Sequence, residues 1–269
     1  MEGIADQDYL KNRQYKKPDN LVARQNIHQR FSTNSYGWFR WLFDVLGILD
    51  GERVLEVGCG PANLWITQRD RLPDGVSVVC IDLSQGMLET AKSALKGDDR
   101  FTFLCGDAQA IPFGDSTFNI VTANHMLYHV PNIQKAASEI RRVLRPAGRL
   151  AAATNGLGHM QELHDLVRRV IPAYLPANES ASRFGLENGP SQLSISFSKI
   201  AVKTYPDSLW VTEIEPLVDY IGSMWGLWGF STTWDEDCKT RIRIELAKQF
   251  ASSGGYSIQK STGIILAEN

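Results

Sequence analysis

No stretch of the 269-residue chain approaches the roughly 18 consecutive apolar residues that a membrane-spanning helix requires. The most apolar window, Tyr220 to Phe230, is about half that long and is interrupted by glycines. The four cysteines, Cys59, Cys80, Cys105 and Cys238, are scattered without a CxxC pair, which argues against a zinc knuckle and against a disulfide frame. Three of them close apolar runs, where cysteine serves as a small buried hydrophobe. Neither sign of charge dominates: 28 Lys+Arg against 30 Asp+Glu leave a net charge of −2. Nothing therefore draws the whole chain to phosphate backbones or anionic lipid. The first residues carry acids, Glu2, Asp6 and Asp8, instead of the basic and apolar regions of a signal peptide. Internal repeats and low-complexity tracts are missing too. These absences predict a soluble, reduced, cytoplasmic protein with no nucleic acid partner and no membrane insertion, and they carry no signal of oligomeric state. A hydrophobic share of 43% with 22% charged residues is that of an ordinary globular domain.

What is present is a strict alternation between residues 51 and 155. Apolar runs at Arg53–Val57, Val76–Ile81, Phe101–Cys105, Phe118–Ala123 and Arg149–Thr154 each close on Gly, Asp or Asn, as strands buried on both faces do. Helical patterns separate them. Ser84 is placed as an N-cap ahead of Met87, Leu88, Ala91 and Leu95, and Pro131-Asn132 opens a stripe of Ile133, Ala136, Ala137, Ile140 and Leu144. Strand, helix, strand in sequence predicts parallel strands with right-handed crossovers, hence an α/β fold with a doubly wound sheet. Residues 1–50 form an N-terminal helical cap with helices over Leu21–Phe31 and Gly37–Leu46. Residues 51–155 are the ligand-binding core and 156–195 a helical insertion. Residues 196–269 supply strands at Ile200–Tyr205 and Ile258–Leu266, with helices at Glu215–Trp225 and Glu236–Phe250, completing the sheet of a single domain.

Ligands in open α/β sheets bind beyond the carboxyl ends of the strands, so the residues closing the runs carry the chemistry. The first turn reads Glu56-Val57-Gly58-Cys59-Gly60-Pro61-Ala62-Asn63. Two glycines let backbone pass close beneath a ligand. A GxG turn alone is shared with nicotinamide and flavin enzymes. Asn63, however, replaces the third glycine of the dinucleotide fingerprint, and Pro61 removes an amide that would bind an anion. Glu56, two residues before the first glycine, favours a cation. Asp82, at the end of the second run, is placed for two ribose hydroxyls, and Gly106-Asp107-Ala108 offers an acceptor suited to an adenine amino group. Together they describe a positively charged nucleoside without phosphates.

These segments resemble the motifs of class I S-adenosylmethionine-dependent methyltransferases. Val54–Pro61 is similar to the first motif, Ile81-Asp82-Leu83-Ser84 with Met87 to the second, and Gly106–Phe113 to the third. Phe118–Val121 with His129-Val130-Pro131, and Leu144–Leu150, complete the series. The flavour is that of the small-molecule branch containing ubiquinone and menaquinone biosynthesis methyltransferases. The resemblance implies a Rossmann-like, seven-stranded, mostly parallel sheet ending in an antiparallel strand, with helices capping the ligand edge. It also implies S-adenosyl-L-methionine as cofactor and S-adenosyl-L-homocysteine as product. Glu56 would hold the methionine amino group, and Gly58 and Gly60 would border the methionine. Asp82 would bind the ribose, Leu83 and Met87 would sandwich the adenine, and Asp107 with the Ala108 amide would bind its edge. The Asn124 carbonyl would lie near the sulfonium. Ala62 departs from the pattern, which often has a third glycine there.

Methyl transfer from a sulfonium is an in-line displacement whose main demand is alignment. A base is needed only where the acceptor must lose a proton, and histidine suits that near neutral pH. His125 and His129 follow the fourth strand, at a spacing that could share one helical face, and His28 lies on a helix expected over the cofactor. All three are candidate catalytic residues. Without a third ligand nearby, no metal site is expected. His159 and His164 read as solvated helix residues. Trp38, Phe39, Trp41 and Phe43, like Met224–Phe230, read mainly as core packing. Tyr15 is a candidate lid over the cofactor. The expected activity is methyl transfer to a small-molecule acceptor held between the N-terminal helices and 156–195. The alternatives are a macromolecular (RNA or protein) methyltransferase, a nicotinamide-dependent oxidoreductase and a non-catalytic S-adenosylmethionine-binding protein.

Overall fold

The computed structural model describes residues 4–10, 19–171, 179–225, 227–228 and 234–269. A short turn of helix, α1 (Gln7–Tyr9), precedes α2 (Asp19–Phe31) and α3 (Trp38–Leu46). The alternating core follows as β1 (Arg53–Val57), α4 (Asn63–Gln68), β2 (Ser77–Asp82), α5 (Gln85–Ala94), β3 (Phe101–Cys105), β4 (Phe118–Asn124), α6 (Ile133–Val143) and β5 (Leu144–Asn155). Beyond it come α7 (Gln161–Val170), α8 (Glu179–Arg183), α9 (Gly189–Leu193), β6 (Lys199–Thr204), β7 (Ser208–Val211), α10 (Ile214–Met224), α11 (Glu236–Ser253), β8 (Tyr256–Gln259) and β9 (Thr262–Glu268).

The local chemistry explains the boundaries. The Ser84 hydroxyl accepts the Met87 amide at the start of α5, and Asn132 Oδ1 accepts the Lys135 amide at the start of α6. Each cap satisfies an amide that the first helical turn leaves unpaired. Seven strands form one sheet in the order β3-β2-β1-β4-β5-β9-β6. β1 to β5 are parallel, and β9 runs antiparallel to both β5 and β6. This is the doubly wound, mostly parallel sheet that the motifs imply. Chain order reverses between β1 and β4, and that crevice is where such sheets take ligands.

Apolar side chains cover both faces of the sheet. One cluster joins Leu55, Val121, Ala152 and Ile265 to α6 and to Phe184; the other joins Val54, Val78, Ile120 and Ala151 to Leu42, Trp65 and Leu88. A third cluster stands apart. Ile27 and Phe31 of α2 pack with Leu166 and Val167 of α7, Leu217 and Ile221 of α10, Ile242 and Leu246 of α11, and Leu209 and Ile258 of the β7–β8 pair.

The stretch Ile258–Leu266 is two strands and not one. β8 pairs with β7 in a separate two-stranded sheet, while β9 enters the large sheet. The polar interval Gln259–Gly263 separates the two apolar halves, and Lys260 inside it is pinned to Asp207, Nζ to Oδ2, at 2.5 Å. Among the described residues, no helix is long and apolar enough to cross a membrane.

Candidate functional site

The strand register brings the expected acids to one edge. Glu56 on β1 sits between Cys80 of β2 and Thr122 of β4, one residue before the strand ends. It is only 3% exposed. Its Oε1 accepts the Asn124 amide Nδ2 at 2.7 Å, and Asn124 Oδ1 in turn accepts the Thr122 hydroxyl at 3.0 Å. The Asn124 side chain is thereby a clamp on Glu56, a role the sequence did not suggest. Glu56 Oε2 has no hydrogen-bond partner, nor has the buried Trp65 indole Nε1. The indole nevertheless lies close enough to favour a charge on Glu56. Burial pushes the Glu56 carboxyl up to about 8, against the pull of Asn124 and Trp65. A buried carboxylate oxygen left unpaired is costly, and it is well suited to an incoming ammonium.

Asp82 closes β2. Its Oδ2 accepts the Gly60 amide and its Oδ1 the Ser84 amide, both at 2.8 Å. The first bond ties the glycine turn to the end of β2, and the second orders the loop that opens α5. Burial raises the Asp82 carboxyl, and the two amides oppose the rise. Each carboxylate oxygen keeps a further lone pair, enough for a vicinal diol. Beneath the turn, Cys59 and Cys80 are buried, whereas Cys105 is exposed and is no core residue. Met87 and Ala108 are buried, and Leu83 is half-buried. Asp107 Oδ1 accepts the Gln109 amide at 2.9 Å, and the Gln109 side chain folds back onto both carboxylate oxygens. The loop that carries Asp107 is held by Arg142 of α6, which donates to the Ile111 and Phe113 carbonyls and to Asp115.

Gly58 (φ 65) and Gly60 (φ 54) both adopt left-handed backbone, and so does Ala62 (φ 62), which explains why a glycine suits that third position. A Cβ on Gly58 would lie 2.9 Å from Met126 Cβ and Cγ. Gly58→Ala is expected to destabilise the fold by about 2 kcal/mol or more, combining left-handed strain with the clash. Urea denaturation measures the loss, and combining the change with Met126→Gly, which removes both atoms, should recover only the clash. An unchanged midpoint would contradict this reading of the turn.

The histidines separate. β4 ends at Asn124, His125 takes a left-handed conformation (φ 53) and a single 3-10 turn spans Leu127–His129, so His125 and His129 do not share a helical face. His125 lies against Trp38, ring centroids 5.5 Å apart, and His129 Nδ1 donates to the Ile4 carbonyl at 2.7 Å. Burial lowers both to about 4. His28 projects from α2 towards His159, 6.2 Å away, and Tyr220, 6.1 Å away. Both His159 and His164 are 8% exposed, so they are buried and not solvated as the sequence suggests. The third apolar cluster, built from elements distant in sequence, encloses them. A small cavity of about 50 Å³ is lined by His159, Tyr220 and Asn155 and by apolar residues of α7 and the α10 end. Tyr15 lies outside the described residues. Among the described residues, no three His, Cys, Asp or Glu converge as metal ligands.

Comparison with known proteins matches the same segment. A family profile described as a methyltransferase domain matches residues 55–152. The chain is 35% identical over 149 residues to a demethylmenaquinone methyltransferase of Renibacterium salmoninarum, covering 54% of this chain and 60% of the relative. It is 38% identical over 116 residues to a ubiquinone/menaquinone biosynthesis C-methyltransferase of Paracoccus denitrificans, covering 42% of this chain and 46% of the relative. The matched part thus spans about half of these curated relatives. In fold, the chain resembles phosphoethanolamine N-methyltransferase 2 of Haemonchus contortus, solved with S-adenosyl-L-methionine (TM-score 0.60, 19% identity, 98% of this chain and 59% of that one). It also resembles the YcgJ protein of Bacillus subtilis (TM-score 0.58, 18% identity, 86% and 97%). Residues 55–152 thus match a methyltransferase domain, and the fold around them is shared with a solved methyltransferase.

Proposed function

We propose that the chain transfers the methyl group of S-adenosyl-L-methionine to a small-molecule acceptor. The observation that carries the reading is the pair of acids at the switch point. Glu56 keeps one buried oxygen unpaired beside a glycine turn, and Asp82, at the end of the next strand, holds that turn through the Gly60 amide. An unpaired buried carboxylate oxygen and an edge of acceptors fit an ammonium and a diol. Nothing in this set is built for a pyrophosphate.

In this reading Glu56 takes the amino group of the cofactor's methionine part, and Gly58 and Gly60 border that part. Asp82 takes the ribose hydroxyls, Leu83 and Met87 flank the adenine, and Asp107 with the Ala108 amide meets its edge. The Asn124 side chain orients Glu56, and its carbonyl faces the sulfonium. When bound, the cofactor supplies an electrophilic methyl group for in-line attack. The protein's task is then alignment and exclusion of water. Burial lowers the basicity of His28, His125 and His129, which suits hydrogen bonding to an acceptor more than proton removal. The names of the quinone-pathway relatives support an acceptor with an apolar ring.

The test is calorimetric titration with S-adenosylhomocysteine beside NADH. Micromolar binding of the first and none of the second is expected. Binding of NADH alone would replace this function with nicotinamide chemistry.

A further inference from the structure

Buried polar atoms in folded proteins are almost always paired, and an exception calls for an explanation. Among the described residues, the Nδ1 atoms of His28 and His159 are two such exceptions, both completely buried and both without a partner. They belong to neighbouring rings, 6.2 Å apart, and the Tyr220 ring stands edge-on to His28. The cavity lining is mixed, with polar His159, Tyr220 and Asn155 beside apolar Met160, Leu163 and Met224. The cavity therefore offers both polar and apolar contacts to a ligand.

We propose that this cavity receives the hydroxyl-bearing end of the methyl acceptor, and that the acceptor is recognised by a hydroxyl donated to Nδ1 of His159, with the neighbouring His28 ring as a second acceptor.

No hydrogen bond occupies Nδ1 of His159. In the neutral ring that carries its proton on the other nitrogen, Nδ1 presents a lone pair to a ligand donor. Burial, with the charges of Lys260 and of His125 adding to it, lowers His159 to about 3. The ring therefore accepts a hydrogen bond without taking the proton. An acceptor lacking the donor would leave both nitrogens buried and unpaired, which is the strongest form of discrimination a small pocket has. Glu179 also lines the cavity, as an exposed carboxylate at its rim, and is the group that would instead favour an ammonium. At about 50 Å³ the cavity admits only a few heavy atoms, so the hydroxyl-bearing end enters first and the rest of a larger acceptor requires the walls of α7 and α10 to part.

This inference rests on the proposed methyl transfer, and the experiment separates the two. The full chain, labelled with nitrogen-15 in its histidine rings and saturated with S-adenosylhomocysteine, is titrated with phenol, toluene and benzylamine. Phenol is expected to move the His159 Nδ1 resonance into the hydrogen-bonded range and to bind about tenfold tighter than toluene, which should leave that resonance in place. His159→Phe should erase the preference for phenol while the affinity for S-adenosylhomocysteine stays, and His159→Gln should restore part of it. Equal binding of phenol and toluene, an unmoved resonance or a preference for benzylamine would overturn the assignment. The wild-type spectrum decides even where a variant fails to fold. Failure of S-adenosylhomocysteine to bind at all would instead overturn the methyl-transfer reading beneath it.

Discussion

Affinity for S-adenosylhomocysteine is expected to rise about tenfold per pH unit between pH 6 and 7 and to level off above pH 8. The cause is Glu56. Burial holds its carboxyl at about 8, so in the empty protein it is mostly protonated at neutral pH. A ligand ammonium at Oε2 pairs with the ionised form, and binding therefore expels the proton. Below the pKa, that expulsion costs about 1.4 kcal/mol for each pH unit. The empty protein responds in the opposite sense. Its folded state keeps a proton that the unfolded chain, with an ordinary carboxyl near 4.5, gives up. The contribution of Glu56 to stability thus declines as pH rises from about 4.5 to 8, and the ligand reverses the decline. Calorimetry in two buffers of different ionisation enthalpy counts the protons: close to one should be released per ligand near pH 6.5. Glu56→Gln should flatten the profile between pH 6 and 8. A wild-type affinity that is flat over this range would mean that Glu56 never pairs with a charge.

Much of the core was legible because its signals are local. The runs at Arg53–Val57 and Phe101–Cys105 coincide with β1 and β3, and the caps at Ser84 and Asn132 involve residues only three positions apart. The fourth strand and the parallel direction of the first five follow from alternation and crossover handedness. The outer elements were less legible. β7 is four residues long and pairs with β8 across about 50 positions, and nothing near Ser208 announces such a partner. Lys260 and Asp207 carry no local signal of their pairing, yet their side chains are 6% and 1% exposed because each neutralises the other. His159 lies in a polar neighbourhood of sequence, Gly156 to Glu162, and is buried only once α2, α7 and α10 converge on it. The clamp from Asn124 to Glu56 spans 68 positions and depends on register, which the sequence does not state.

Replacing Asp82 with Ala should weaken S-adenosylhomocysteine binding by about a hundredfold or more, roughly 3 kcal/mol. Two losses add. The ligand's ribose loses an ionised acceptor for its hydroxyls, worth about 1.5–3 kcal/mol for a charge-assisted bond. The Gly60 and Ser84 amides lose the oxygens to which each donates at 2.8 Å, and without the Gly60 bond the turn that borders the ligand is no longer tied to β2. The second loss alone is structural. It should appear in the empty protein as about 1–3 kcal/mol less stability to urea, from two amides left unpaired in a half-buried turn. Denaturation without ligand and titration with it therefore separate the two. Asp82→Asn sharpens the comparison, since it keeps the shape but offers one acceptor oxygen and points an N–H₂ at the other amide. An affinity loss well above the stability loss marks a residue that meets the ligand. Reduced stability with affinity unchanged in the folded fraction would make Asp82 an anchor for the glycine turn and nothing more, and the ribose assignment would fall.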